Sequence, residues 1–365
     1  MRFPLSLTMS MATYMLRKKL SGFRKGGTAK FPLVLMLEPL HACNLKCSGC
    51  GRIREYADTL GQRLSVDECL HALRECGAPI VSICGGEPLL YPDIVELTDK
   101  ILGLGKHIYL CTNGVLLEEK LDDFVQLAKQ NKRTKSRLYW NVHLDGADEV
   151  HDAIVEKPGA FDQALGGIFA AKWEGFYVYT NTTLYKTSSV DDLVRLANIL
   201  HITGSKESKI DGMMIAPGYG YEAVQSEGEQ SFFLNRSEIH ELFREIRQRM
   251  KKYRLTATPI YMDFLCGERE LPCAAWANPT YNVRGWKSPC YLMTDKHYET
   301  FAEFMQETDW SKIGGNNVGR NNDGQGNDPR CQDCMMHCGY EPAAVLFGNR
   351  LRDLLRMALW QMKIA

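Results

Sequence analysis

The chain has 365 residues, 45% of them apolar, and its 44 lysines and arginines balance 44 aspartates and glutamates. That length suits one large barrel with additions or two structural units, and zero net charge gives no reason to expect a nucleic-acid partner. No run of eighteen apolar residues occurs, so nothing spans a bilayer; thirteen cysteines, an odd count in tight clusters, argue for metal ligation in a reducing cytoplasm rather than a disulfide frame.

Residues 1–30 form a basic segment. Residues 1–37 hold seven bases (Arg2, Arg17, Lys18, Lys19, Arg24, Lys25, Lys30) and no acid, so the remainder carries the balancing net minus seven. Leu5, Met9, Ala12, Leu16, Leu20 and Phe23 recur at steps of three or four, one face of a helix. Such a stripe suits either packing on a core or peripheral contact with a membrane surface, on the inner face if the protein is cytoplasmic. The first apolar run, Leu33–Leu37, ends just before Cys43, Cys47 and Cys50, spaced C-x3-C-x2-C. Three thiolates at short fixed gaps can hold three irons of a [4Fe-4S] cluster and leave the fourth open. A zinc knuckle completed by His41 is the competing reading.

From there to about Pro217 short apolar runs alternate with helical patterns, the signature of βα units and a parallel sheet. The strands are expected at Leu33–Leu37, Ile80–Cys84, His107–Thr112, Leu138–Leu144, Phe176–Thr182 and Lys209–Ile215. Helices fall between, at Ser65–Cys76 with a capping-box Glu68, at Asp93–Leu104 and at Leu121–Gln130. Ile80–Cys84 leads into Gly85-Gly86-Glu87-Pro88. A polar loop, Tyr219–Asn235, precedes a helix at Ser237–Tyr253, giving a barrel over 31–254. A smaller cysteine-rich unit is expected over 255–344, with a mobile-looking Asn/Gly-rich insert at Ile313–Pro329. A second basic amphipathic helix over 345–365 carries Leu351, Leu354, Leu355, Ala358, Leu359 and Met362 beside Arg350, Arg352, Arg356 and Lys363.

The cysteine triad followed by GGEP after the second strand resembles the radical S-adenosylmethionine (SAM) superfamily. The resemblance implies an α/β fold, a partial (β/α)6 barrel with reactive residues at the carboxyl ends of its strands. It implies SAM at the open iron, with Glu87 accepting from the amine and Gly85 and Gly86 allowing close backbone approach. Thr112 and Asn113 would reach the carboxylate or ribose, His143 and Asp145 the ribose hydroxyls, and Asn181 and Thr183 lie nearby; each also suits a capping role. One departure is Gly49, where the family usually has an aromatic residue before the third cysteine.

Across about Phe31 to Ala344, the stretches HACNLKCSGCGRIREY, ICGGEPLLYPDI, LCTNG, HLDG, WANPTYNVRGWKSPCYLMTD and CQDCMMHCGYEP are similar to the adenosylhopane synthases of hopanoid biosynthesis. That closer likeness implies a transferase that adds the 5′-deoxyadenosyl radical to the terminal alkene of diploptene. A ferredoxin or flavodoxin would supply electrons. A thiol must then quench the product radical: Cys111 is the candidate, with Cys84 the weaker one. Cys290, Cys331, Cys334 and Cys338 would hold a second iron–sulfur cluster, or zinc; Cys266, Cys273 and His337 are weaker alternatives, while Cys69 and Cys76 read as packing residues. Tyr219, Tyr221, Phe232, Phe233, Trp276, Tyr281 and Trp286 are available for an apolar pocket or for ordinary core. The competing functions are an auxiliary-cluster radical enzyme abstracting hydrogen from a peptide or small molecule, and a zinc-bound scaffold without turnover.

Overall fold

The structure, a computed structural model, describes residues 2–24, 30–202, 209–226, 228, 232–314, 328–348 and 350–362. Most of the Asn/Gly-rich insert (315–327), Lys25, Lys363 and the side chains of Phe23 and Arg24 lie outside the described residues.

Six strands run parallel in chain order: β1 Val34–Leu37, β2 Ile80–Ile83, β3 His107–Thr112, β4 Leu138–His143, β5 Tyr177–Leu184 and β6 Gly212–Pro217. Helices separate them because a parallel neighbour can be reached only by a long crossover. Helix Val66–Cys76 starts where Ser65 Oγ accepts from Glu68 N and the Glu68 carboxylate accepts from Ser65 N at 2.7 Å. The third helix begins at Leu117, four residues earlier than its sequence pattern indicates.

Alternation along the strands separates two environments. Ile108, Leu110, Trp140, Val142 and Val178 are fully buried in the layer between sheet and helices. Tyr109, Cys111, Asn141, His143, Asn181 and Thr183 alternate with them and are only half-buried, so the barrel lumen is aromatic and polar and partly hollow.

The sheet does not stop at six strands. β7 Thr280–Asn282 pairs parallel with β1, and an antiparallel ribbon of β8 Gly285–Pro289 and β9 Thr294–Tyr298 follows. The cysteine-rich region is therefore joined to the barrel through one nine-stranded sheet.

The N-terminal helix Leu5–Arg24 covers the amino ends of the strands. Leu7 packs on Ile80, Tyr139 and Tyr179, and Ser10 Oγ lies 3.2 Å from His107 Nε2. The C-terminal helix Leu351–Met362 is fixed by Arg356 on Asp263 at 2.6 Å and Asp353 on Arg269 at 2.8 Å. Among the described residues no helix is long and apolar enough to cross a membrane.

Candidate active site

Every motif singled out in the barrel lies at the carboxyl end of a strand, where parallel barrels place their chemistry. The loop after β1 carries Cys43, Cys47 and Cys50, all half-buried. It lies directly on the GGEP loop: Cys84 N donates to Leu37 O at 2.8 Å, Gly86 N to Leu40 O at 3.1 Å and Glu87 N to Ala42 O at 2.8 Å. This contact explains both glycines. A Cβ at Gly86 would stand 2.0 Å from Ala42 O, and one at Gly85, where φ is +113°, 2.4 Å from Leu40 O. The close approach they permit is that of the cysteine loop.

Glu87, 1% exposed, ties this assembly to β3. One oxygen accepts from Thr112 Oγ1 at 2.7 Å and Leu89 N at 3.0 Å, the other from Asn113 N at 2.7 Å. Burial raises its pKa above the ordinary value despite these bonds. Its visible work is to organise the strand ends. Asn113 Nδ2 in turn donates to Asn44 Oδ1 at 2.7 Å beside Cys43. Further round, His143 Nε2 lies 2.7 Å from Asp145 Oδ2, and Thr183 N donates to Asp145 Oδ1 at 2.7 Å. Burial opposes protonation of His143, but the Asp145 charge and hydrogen bond outweigh it and hold the pKa above the ordinary value.

Gly49 acquires a reason. A Cβ there would fall 2.4 Å from the Tyr185 hydroxyl, so the ring of Tyr185, just past β5 and stacked on Phe232 at 4.2 Å, occupies the neighbouring space. Tyr221 does the same over Gly51.

Sequence reasoning missed a buried charge network beneath the cysteine loop. Glu38 is fully buried between Arg52 Nε at 2.8 Å and His41 Nε2 at 3.5 Å. Burial alone would raise the Glu38 pKa, but Arg52, His41 and Lys287 bring it down to about 2. Lys287, also fully buried, reaches Glu55 at 3.2 Å and Tyr291 O at 3.0 Å. The Arg52 guanidinium stacks 4.1 Å over Tyr291 and bonds its carbonyl. Arg54 donates to Cys47 O at 3.1 Å and Cys50 O at 2.8 Å. The stretch GRIRE thus braces the first cysteine loop and links it to the segment carrying Cys290; no local pattern marks which charges will pair. His41, one residue that could complete a zinc knuckle, is engaged by Glu38 and by Thr59 at 3.0 Å.

Cys290, Cys331, Cys334 and Cys338 line one cavity with a fifth thiol, Cys273, and Tyr219. Gly314 N donates to Cys331 Sγ at 3.4 Å. Burial raises the Cys290 pKa, opposed by the amides of Leu292 and Met293, whereas Cys273 receives only that of Ala275. Amide donors of this kind favour the thiolate form that a ligand needs. Cys266, Cys69 and Cys76 are core residues, and His337 does not line the cavity. Tyr221, 5.1 Å edge-on from Tyr219, stands between this cavity and the first cysteine loop, close enough to feel both Cys50 and Cys338. Of the other aromatics suggested for a pocket wall, Tyr281 and Trp286 pack on each other and Trp286 on Phe301, and Trp276 on Phe31, as ordinary core.

Both thiol sets fit iron–sulfur clusters. They are soft donors, free of carboxylates, and burial pushes Cys43 and Cys331 up to about 11, so a cluster's positive iron is what would hold them as thiolates. Among the described residues no three Cys, His, Asp or Glu side chains converge on a single-ion position.

Cys111 faces the lumen, half-buried, 3.3 Å from Ser82 Oγ and 3.4 Å from Asn141 Nδ2. Burial raises its pKa, keeping it a thiol. Cys84, by contrast, is fully enclosed.

Residues 37–200 match the family model described as Radical SAM superfamily, and residues 213–357 match that described as Domain of unknown function (DUF3463). An AdoMet-dependent heme synthase of Methanosarcina barkeri is 32% identical over 159 residues, 42% of this chain and 43% of the relative. A pre-heme d1 synthase of Dinoroseobacter shibae is 28% identical, over 43% of this chain and 38% of its own. The chain spans less than half the length of these curated relatives. The structure of Streptococcus suis SuiB bound to S-adenosylmethionine superposes with a TM-score of 0.55 at 18% identity, covering 72% of this chain and 61% of SuiB, a likeness of fold.

Proposed function

We propose that this chain, whose residues 37–200 match the radical SAM superfamily, transfers a 5′-deoxyadenosyl group from SAM to the terminal alkene of diploptene, giving adenosylhopane. The observation that carries the transfer is Cys111, a protonated thiol in the barrel lumen next to the strand end that holds Glu87. Radical addition to an alkene leaves a carbon radical on the product, and that radical needs a hydrogen atom. A reaction that abstracts hydrogen from its substrate needs such a donor only where the substrate radical ends reduced rather than oxidised.

When bound, the cluster and SAM at Cys43, Cys47 and Cys50 supply the 5′-deoxyadenosyl radical, with one electron from a reduced ferredoxin or flavodoxin. The chain's own residues position and quench. Gly85, Gly86, Glu87, Thr112 and Asn113 would shape the methionine end, while His143 and Asp145 would hold the ribose hydroxyls. Ser82 and Asn141 hold the Cys111 sulfur. The S–H bond breaks, its hydrogen forms the new C–H bond, and the thiyl left behind takes one electron from the same class of donor and one proton from solvent to return to thiol. A second cluster at Cys290, Cys331, Cys334 and Cys338, with zinc as the alternative, completes the cofactor set.

The hopene as substrate rests on the sequence likeness over residues 31–344, which takes in both halves of the chain. The names of the curated relatives carry a second reading, a tetrapyrrole substrate; they share under half of this chain. Anaerobic incubation of reconstituted protein with SAM, a strong reductant and diploptene, read by mass spectrometry, separates them. An adenosyl-plus-hydrogen adduct of diploptene is expected. Free 5′-deoxyadenosine beside untouched diploptene removes the substrate assignment.

A further inference from the structure

The two terminal helices carry apolar stripes that the fold does not use, and we propose that together they dock the protein on an anionic lipid surface. At about 100° per residue, Leu5, Met9, Leu16 and Leu20 fall within a stripe roughly 60° wide, and each is more than half exposed. The opposite face, with Leu7, Met11 and Tyr14, is the one that seals the barrel. The helix is thus apolar on two sides, and only one is needed for folding. The C-terminal helix repeats the arrangement: Leu351, Leu355 and Leu359 are exposed, while Asp353 and Trp360 turn inward.

These two surfaces are joined. Arg2 N donates to Gln361 O at 3.0 Å, Gln361 Nε2 to Thr8 Oγ1 at 2.8 Å, and Phe3 packs on Trp360. Nine of the fifteen exposed large apolar side chains among the described residues sit on this pair of helices, so the exposure is a concentrated patch rather than the scatter normal for a surface.

Charge selects the occupant. Arg17 and Lys19 are exposed beside the first stripe, Arg350 and Arg352 beside the second. Residues 1–37 hold no acid, and Asp353, the one acid of the C-terminal helix, is bound to Arg269. A second copy of the chain would set base against base. An anionic headgroup layer complements the bases while its acyl region receives the leucines.

The test is flotation of the full chain with vesicles, without SAM, reductant or substrate. Its outcome is therefore independent of the reaction proposed above. Phosphatidylcholine vesicles containing phosphatidylglycerol are expected to carry the protein; pure phosphatidylcholine or high salt should lower the bound fraction at least tenfold. Leu16→Glu with Leu355→Glu should abolish flotation while leaving the unfolding midpoint in place. Should that pair disturb folding, Lys19→Glu with Arg352→Glu should remove the preference for anionic vesicles alone. Flotation unchanged by either pair overturns the proposal. So does a parent protein that ignores vesicles and sediments as a dimer which the leucine variants dissociate.

Discussion

The two cysteine groups are built differently. The first is a single short loop: Cys43, Cys47 and Cys50 lie within eight residues, and their surroundings come from successive strand ends of the barrel. The second is gathered from three places, Cys273 ahead of the turn Ala275–Ala277, Cys290 after β8, and Cys331 to Cys338 at the start of helix His337–Phe347. A local ligand set is legible from spacing because the chain itself fixes the distances. A set assembled by tertiary structure is legible only in part: in sequence Cys273 is one of three weaker alternatives, and only the cavity sets it beside the other four thiols. The two are bridged by the network of Arg52, Glu38, Glu55 and Lys287 and by Tyr219 and Tyr221, so a perturbation of the bridge itself is expected to register at both.

The largest effect separates the groups by function. Replacing Cys43, Cys47 or Cys50 with Ala is expected to reduce SAM cleavage to background, measured as 5′-deoxyadenosine formed anaerobically. Retained cleavage would remove the first loop from the chemistry.

Next, Arg52→Ala leaves Glu38 buried without its closest cation, with His41, Lys287 and the Asn282 amide as its remaining partners. Loss of one partner of a buried pair costs about 3–5 kcal/mol, so denaturant unfolding should shift by that order and iron content should fall in both groups. A loss confined to one group would show that the bridge does not couple them.

The second group sharpens the comparison in iron stoichiometry. Cys290→Ala, Cys331→Ala, Cys334→Ala and Cys338→Ala should each lower bound iron by one cluster while the first loop stays loaded. Cys273→Ala should not, because Cys290 has the better supported sulfur. The reverse result would exchange the roles of Cys273 and Cys290. Zinc in place of iron at this site would select the other metal reading.

The smallest effect is in pH. Glu38 titrates at about 2 when folded against 4.5 unfolded, so it binds fewer protons folded and its contribution is fully present above 4.5 and lost as pH falls towards 2. Glu38→Gln is expected to flatten that acid limb of the stability profile, followed by urea midpoints across the range. An unaltered limb would show that Glu38 is not held by its cations.

Much of the fold was legible. The six parallel strands fall where apolar runs precede turn residues, because each must be buried on its helix-facing side. β7 to β9 escaped notice: they are three to five residues long, and they place Lys287 and Asn282 in the interior, opposite to any hydropathy pattern. The glycines of GGEP were visible as a signature, yet their reason, the close approach of Leu40 O and Ala42 O, appears only in three dimensions. The missing aromatic at Gly49 was likewise visible as a gap. Its neighbour Tyr185 lies 136 residues away in sequence, beyond the reach of any local motif.

The most direct test of the radical-quenching account is to run the anaerobic reaction with diploptene in deuterium oxide and weigh the product. A thiol proton exchanges with solvent, so the parent enzyme should deliver one deuterium to adenosylhopane, and Cys111→Ala should cleave SAM yet form little adduct or adduct without that label. A full yield of unlabelled adduct from the parent, or labelled adduct unchanged in Cys111→Ala, would contradict Cys111 as the hydrogen donor.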